Sequence, residues 1–225
     1  MSSFEDLGFC KLDIDREERT GFPEVVFGAG KTIEQIEAIV RRLITHHNRA
    51  LVTRLTPERG EQLAALVPGA VFHEASGLLQ VGDAEVRFPG HVAVLCGGTS
   101  DIPVAEEAAL TAEWMGCRVQ RIYDVGVAGI DRLLAYREEI RRAHVVIVVA
   151  GMEGALASVV GGMVRRPVVA VPTSVGYGAH MQGVTPMLAM MTSCASGVAV
   201  MNIDNGFGAA FYASTILQLV KEAND

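Results

Sequence analysis

Five short apolar runs in the carboxyl-terminal part of the chain set the strongest limit on its fold: HVAVLCGG, CRVQRIYDVG, HVVIVVAG, RPVVAVPTS and SGVAVMNID. They are valine-rich and bounded by turn-forming residues, which is the signature of strands rather than of helices. Between and after them lie IPVAEEAALTAEWM, IDRLLAYREEIRRA, EGALASVVGGMV, the shorter TPMLAMMTS and a final FGAAFYASTILQLVKEA, whose apolar residues recur at helical spacing. A strand that is apolar throughout must be covered on both faces, and helices threaded between such strands supply that cover. The pattern predicts an α/β fold with a parallel sheet in a three-layer sandwich.

The residues before VRFPGHVAVL read differently. Thr32 and Gln35 form a capping box ahead of Ile33, Ile36, Val40, Leu43 and Ile44, an amphipathic helix. ALVTR reads as a strand, Thr56-Pro57-Glu58 as a helix start, and AVFHE and GLLQVG as further strands. The expected organisation is a small α/β region over residues 1–88 and a larger domain over residues 89–225.

Bulk properties narrow the function. With 19 basic and 26 acidic residues the formal charge is -7, so no overall basic field exists to hold nucleic acid or an anionic membrane. An anionic small molecule must then be held locally, by backbone amides, helix ends or a few arginines. The start MSSFEDLGFC lacks a signal pattern and no apolar run reaches the ~18 residues of a membrane span. A cytoplasmic protein is expected. Cys10, Cys96, Cys117 and Cys194 show neither CxxC nor zinc-type spacing, which favours reduced thiols.

In parallel sheets ligands settle beyond the carboxyl ends of the strands. Those ends read CGGTSD, YDVGVAG, AGMEGA, PTSVGYGA and NIDNGFGA, all rich in glycine or small polar residues that let a ligand approach backbone amides. In CGGTSD, the amides and hydroxyls of Gly98, Thr99 and Ser100 suit a phosphate and Asp101 suits sugar hydroxyls, although plain helix capping by Ser100 or Asp101 would give the same letters. Two familiar phosphate loops are broken. FGAGKT has Val25 where a P-loop needs glycine, and NGFGAAF has Phe211 in the last place of the dinucleotide fingerprint. Arg16, Arg19 and Lys31, around the loop at residues 21–31, could touch an anion or simply be solvated. Cys194, in TSCASG, is either small core filler or a nucleophile with room around it.

GGTSDIPVAEEA resembles the GSxSD-plus-helix signature of the PurE family, the aminoimidazole ribonucleotide carboxylase and mutase fold, and AGMEGALASVVGGMVRRPVVAVPTS resembles that family's fourth segment. The histidine-containing SAHR loop of PurE enzymes is replaced here by YDVGVAG. That departure, with SCASGVAVMNIDNGFGA and RTGFPEVVFGAGKT, is similar to the LarB family, the pyridinium-3,5-biscarboxylic acid mononucleotide synthases, which join a PurE-like half to an added N-terminal region. The resemblance covers nearly the whole chain.

It implies carboxylation of nicotinic acid adenine dinucleotide at ring carbon five, with phosphoanhydride hydrolysis releasing AMP, as the first step toward a nickel-pincer cofactor. Cys194 then aligns with the family's covalent cysteine, Glu153 with its acidic residue, and Asp124 stands where PurE enzymes place their special loop. Candidate substrate contacts are Gly98, Thr99, Ser100, Asp101, Gly126, Gly151, Met152, Ser174, Gly176, Asp204, Asn205 and Gly206. The partners implied are the dinucleotide, carbon dioxide or bicarbonate, and further copies of the chain, an octamer by resemblance to PurE. No organic cofactor is implied. Mg²⁺ bridging phosphate oxygens would need few protein ligands, among which Asp101, Asp124, Asp131 and Asp204 stand unranked. A PurE-type ribonucleotide mutase and a non-catalytic nucleotide sensor are the alternatives.

The implied chemistry asks for a thiol. A pyridinium ring is too electron-poor to attack carbon dioxide, whereas thiolate addition turns it into an enamine whose carbon five is nucleophilic. A free cysteine has a pKa near 8.5. A pyridinium charge about 4 Å away would favour the thiolate by roughly 4 kcal/mol at an effective dielectric of 20, so ionisation is expected mainly once substrate is bound.

Overall fold

The computed structural model describes residues 3–82 and 85–224. The chain forms two compact units, Met1–Asp83 and Ala84–Asp225.

The first unit runs β1 (Glu5–Asp6), β2 (Lys11–Leu12), α1 (Arg16–Thr20), β3 (Val26–Phe27), α2 (Ile33–His47), β4 (Ala50–Thr53), α3 (Pro57–Leu66), β5 (Ala70–His73) and β6 (Leu78–Val81). Strands β1 and β2 pair antiparallel, and the other four form a mixed sheet in the order β3-β4-β6-β5. The capping box is present: Thr32 accepts from the Gln35 amide and Gln35 accepts in return from that of Thr32. One face of α2, with Ile36, Ile39, Val40 and Leu43, packs with Val52, Leu79 and Val81 in a single core. The loop at residues 21–31 is engaged internally. Lys31 Nζ donates to the Phe27 carbonyl, Arg59 donates to those of Gly28 and Lys31, and Arg19 pairs with Asp13.

The second unit runs β7 (Val92–Cys96), α4 (Ile102–Trp114), β8 (Val119–Ile122), α5 (Ile130–Ala135), α6 (Arg137–Arg142), β9 (Val145–Ala150), α7 (Ala155–Met163), β10 (Val168–Pro172), α8 (Val184–Met191), β11 (Val198–Val200) and α9 (Gly206–Glu222). Its five strands are all parallel, in the order β11-β10-β9-β7-β8. Helix IDRLLAYREEIRRA, expected as one piece, is broken at Tyr136, whose backbone leaves helical geometry (φ -97°, ψ 8°). The three central strands are buried along their whole length. Alternate side chains serve two cores. Ala93, Leu95, Val146 and Val148 meet Leu133, Ile140, Leu156 and Val160 of α5, α6 and α7, while α4 and α9 pack on the opposite face. Each fully buried valine or isoleucine is worth about 1.5–3 kcal/mol, so the sheet is a stiff floor for whatever its turns carry.

Strand order reverses between β7 and β9, because the chain leaves β7 for β8 on one side and returns to β9 on the other. Ligands bind at such switch points, where successive crossovers diverge and leave a crevice. Among the described residues no helix is long and apolar enough to cross a membrane.

Candidate active site

A cavity of about 510 Å³ opens at that switch point. Its wall comes from residues 97–101 after β7, Asp124 and residues 126–128 after β8, Gly151, Met152 and Glu153 after β9, Arg132 of α5 and Val175 after β10.

Asp101 organises the first turn. Its buried carboxylate accepts from the Gly98 amide (3.0 Å) and from the Thr173 hydroxyl (2.7 Å), which ties the turn after β7 to the end of β10. Burial raises the pKa of this carboxyl, opposed by the hydrogen bonds from Thr173 and from the Gly98 and Gly151 amides. The capping alternative therefore holds for Asp101, whose carboxylate caps the short 3-10 turn at residues 99–101 through the Gly98 amide, while α4 itself starts without a side-chain cap and Ser100 caps nothing among the described residues. The exposed Thr99 and Ser100 hydroxyls make no hydrogen bond among the described residues and are open to a ligand.

Close backbone approach fixes two glycines. A Cβ on Gly151 would stand 2.2 Å from the Val175 carbonyl oxygen, and one on Gly126 would stand 2.6 Å from that of Gly97. Asp124 and Met152 adopt left-handed backbone, φ 55° and 53°. For methionine this costs of order 1–3 kcal/mol, and such residues cluster at functional sites. The Met152 amide donates to the Val175 carbonyl at 2.9 Å, holding the turn so that the half-exposed side chain lines the cavity. Glu153 lies outside the first turn of α7, is exposed, and has no ion pair among the described residues. Arg132 pairs with Asp124 at 2.7 Å. With Asp101, Asp124 and Glu153 against one arginine, the lining is acidic and suits a cation and sugar hydroxyls better than phosphates.

Cys194 stands elsewhere. Of the four free cysteines it alone is exposed, whereas Cys96 and Cys117 are buried, with thiols pushed up by burial to about 11. The filler alternative therefore does not describe Cys194. Its loop precedes β11: the Gly197 carbonyl accepts from Val168 at the start of β10, Ser158 of α7 bonds Ser193, and Ala195 lies beside Gly161. This is the amino end of the sheet. The strand rise over Val168–Pro172 puts it about 13 Å below the turns. Within one chain the thiol and the cavity sit at opposite ends.

Among the expected contacts, Ser174 and Gly176 after β10 and Asp204, Asn205 and Gly206 after the edge strand β11 fall outside the cavity lining, although the Asp204 charge reaches Asp101 and helps raise its pKa. Instead the Ser174 amide donates to Asp204 (2.8 Å), Asn205 caps α9 through the Gly208 amide (2.8 Å), and a Cβ on Gly206 would stand 2.4 Å from the Val104 carbonyl oxygen. Asp131 is exposed and also stands outside the lining. Arg132 and Val175 are additions that sequence reasoning missed. For Arg132 the available signal was its place one short turn after YDVGVAG. Among the described residues no three metal-ligating side chains cluster. The cavity's donor set, Asp124 and Glu153, fits a hard cation that keeps most of its waters.

The parallel sheet, its switch-point cavity and the separate N-terminal unit define a PurE-like α/β domain with an added domain before it. Residues 91–224 match the AIR carboxylase family and residues 4–83 match the LarB/PurE-like N-terminal domain. The chain belongs to the LarB family, whose domains are of a carboxylase type. It is 44% identical over 221 residues to the uncharacterized protein MJ0165 of Methanocaldococcus jannaschii, covering 93% of this chain and 84% of that protein. It is 31% identical over 135 residues to the N5-carboxyaminoimidazole ribonucleotide mutase of the same organism, covering 58% of this chain and 81% of the mutase.

Proposed function

We propose that this protein carboxylates the pyridinium ring of nicotinic acid adenine dinucleotide at carbon five and hydrolyses its phosphoanhydride, releasing AMP and pyridinium-3,5-biscarboxylic acid mononucleotide for nickel-pincer cofactor synthesis. The exposed thiol of Cys194, in a chain of this family, is the observation that carries the reading.

The Cys194 thiolate adds to the ring, and the electron pair of the broken π bond settles on the ring nitrogen. The resulting enamine attacks carbon dioxide through carbon five. Glu153, exposed at the cavity wall, takes the proton from that carbon, and the thiolate leaves as the aromatic cation re-forms. The acidic cavity holds the cationic ring and its ribose, with Asp124 and Asp101 near the hydroxyls. Mg²⁺, when bound, would be held through its waters at Asp124 and would supply charge neutralisation as the phosphoanhydride is cleaved.

Cys194 and Glu153 lie at opposite ends of one sheet, so the reaction requires two copies of the chain, the cavity of one facing the thiol loop of another. A closed homo-oligomer, an octamer in our reading, supplies that pairing, and the protein acts in the cytoplasm.

Mass spectrometry after incubation with the dinucleotide and bicarbonate tests the proposal. It expects AMP, a ring product with one added carboxyl group, and a covalent adduct at Cys194. The match to a ribonucleotide mutase favours a second reading. Turnover of carboxyaminoimidazole ribonucleotide with no pyridinium product would establish that reading instead. Binding without turnover of either would leave a sensor.

A further inference from the structure

A second cavity, of about 460 Å³, is lined by Arg141, Met163, Arg165 and Arg166. We infer that it is a phosphate subsite, in which Arg165 and Arg166 take the phosphoanhydride of the dinucleotide beside the Cys194 loop. This rests on the proposed carboxylase reading for the identity of the ligand, and on the geometry below for the site.

Arg141 is fixed in place, since its Nε donates to the Met163 carbonyl (3.2 Å) and another of its nitrogens pairs with Glu138 (3.2 Å). Arg165 and Arg166 are exposed, and no hydrogen bond or ion pair engages their guanidinium groups among the described residues. On a chain with a formal charge of -7, two unmatched guanidiniums facing one cavity form a local anion site, each able to grip phosphate oxygens bidentately.

The arginine turn and the thiol loop are neighbours. A Cβ on Gly197, three residues after Cys194, would stand 3.9 Å from the Arg166 carbonyl oxygen, and Ala195 packs on Gly161 of the helix that leads into the arginine turn. The switch-point cavity cannot play this part well. Its one cation among the described residues, Arg132, is held by Asp124, and the rest of its charge is acidic. A substrate that is cationic at its ring and anionic at its phosphates is matched by an acidic cavity and an arginine pair, with the thiol on the arginine side.

Calorimetric binding of inorganic pyrophosphate to the full-length protein at low salt tests the subsite without ring chemistry. Wild type is expected to bind, more weakly as salt is added. R165A/R166A should lose at least about tenfold in affinity. R165K/R166K should retain part of it, and R166A alone supplies a milder variant should the double one fail to fold. Unchanged binding in R165A/R166A, no binding by wild type, or loss of binding in Ser100→Ala with Arg165 and Arg166 left in place would each overturn the inference. If pyrophosphate binding follows the arginines but no adduct ever forms at Cys194, the carboxylase reading fails while the subsite stands.

Discussion

The two ends of the parallel sheet are built from the same kind of loop and carry opposite chemistry. At the carboxyl end, Asp101, Asp124, Glu153 and Asp204 follow the strands, on turns held by left-handed residues and close backbone contacts. At the amino end, His91 and His144 precede β7 and β9, Arg141 and Arg142 close α6, Arg165 and Arg166 precede β10, and Cys194 precedes β11. The first end is rigid and acidic, suited to gripping a cationic ring. The second is basic and offers a nucleophile. Neither is a complete site for carboxylating a dinucleotide, so division between copies, rather than any single loop, is what the proposed activity depends on.

Removing the thiol should have the largest effect. Cys194→Ala is expected to abolish the adduct and lower ring carboxylation by roughly a thousandfold or more, the scale of nucleophile deletions. Being exposed, the position should cost within about 0.5 kcal/mol of stability. Retained turnover in a steady-state assay would remove the amino end from the chemistry. Next in size is Asp101→Ala, which strands the Gly98 amide and the Thr173 hydroxyl and should cost about 2–3 kcal/mol in denaturant unfolding. A neutral result would mean that the acidic end is not held as described.

The smallest effect is a pH dependence at the amino end. The pKa of His91 is lowered by burial, then by His144 and Arg142, so the fold favours its neutral form. The associated stability is present above the unfolded value near 6.5 and is lost as pH falls below it toward the depressed folded value. Unfolding midpoints at pH 7.5 and 5.5 should differ less in His91→Gln than in wild type. A larger difference in the variant would reverse the sign.

Local pattern made the acidic end legible. Strand runs followed by glycine turns announced the rim, and GGTSD singled out Asp101 through the half of its role that is played within its own turn, whereas its bond from Thr173 depends on the fold. The rest depended on order in space. SCASG and NIDNG look alike as sequence and begin nine residues apart, yet the three-residue strand between them sends one to each end of the sheet. Asp204, Asn205 and Gly206 carry the composition of a ligand loop but follow the edge strand, where they secure β10 and α9. Arg132 was hidden inside a helical run, and Arg165 and Arg166 look like ordinary surface charge until the absence of hydrogen-bond and ion-pair partners among the described residues is visible.

Mixing two inactive variants addresses the central claim most directly. Cys194→Ala and Glu153→Gln proteins, co-expressed so that copies associate at random, should recover roughly a quarter of wild-type carboxylation, because such mixing pairs an intact thiol with an intact cavity about that often. Activity no higher than that of either variant alone would contradict a site shared between copies.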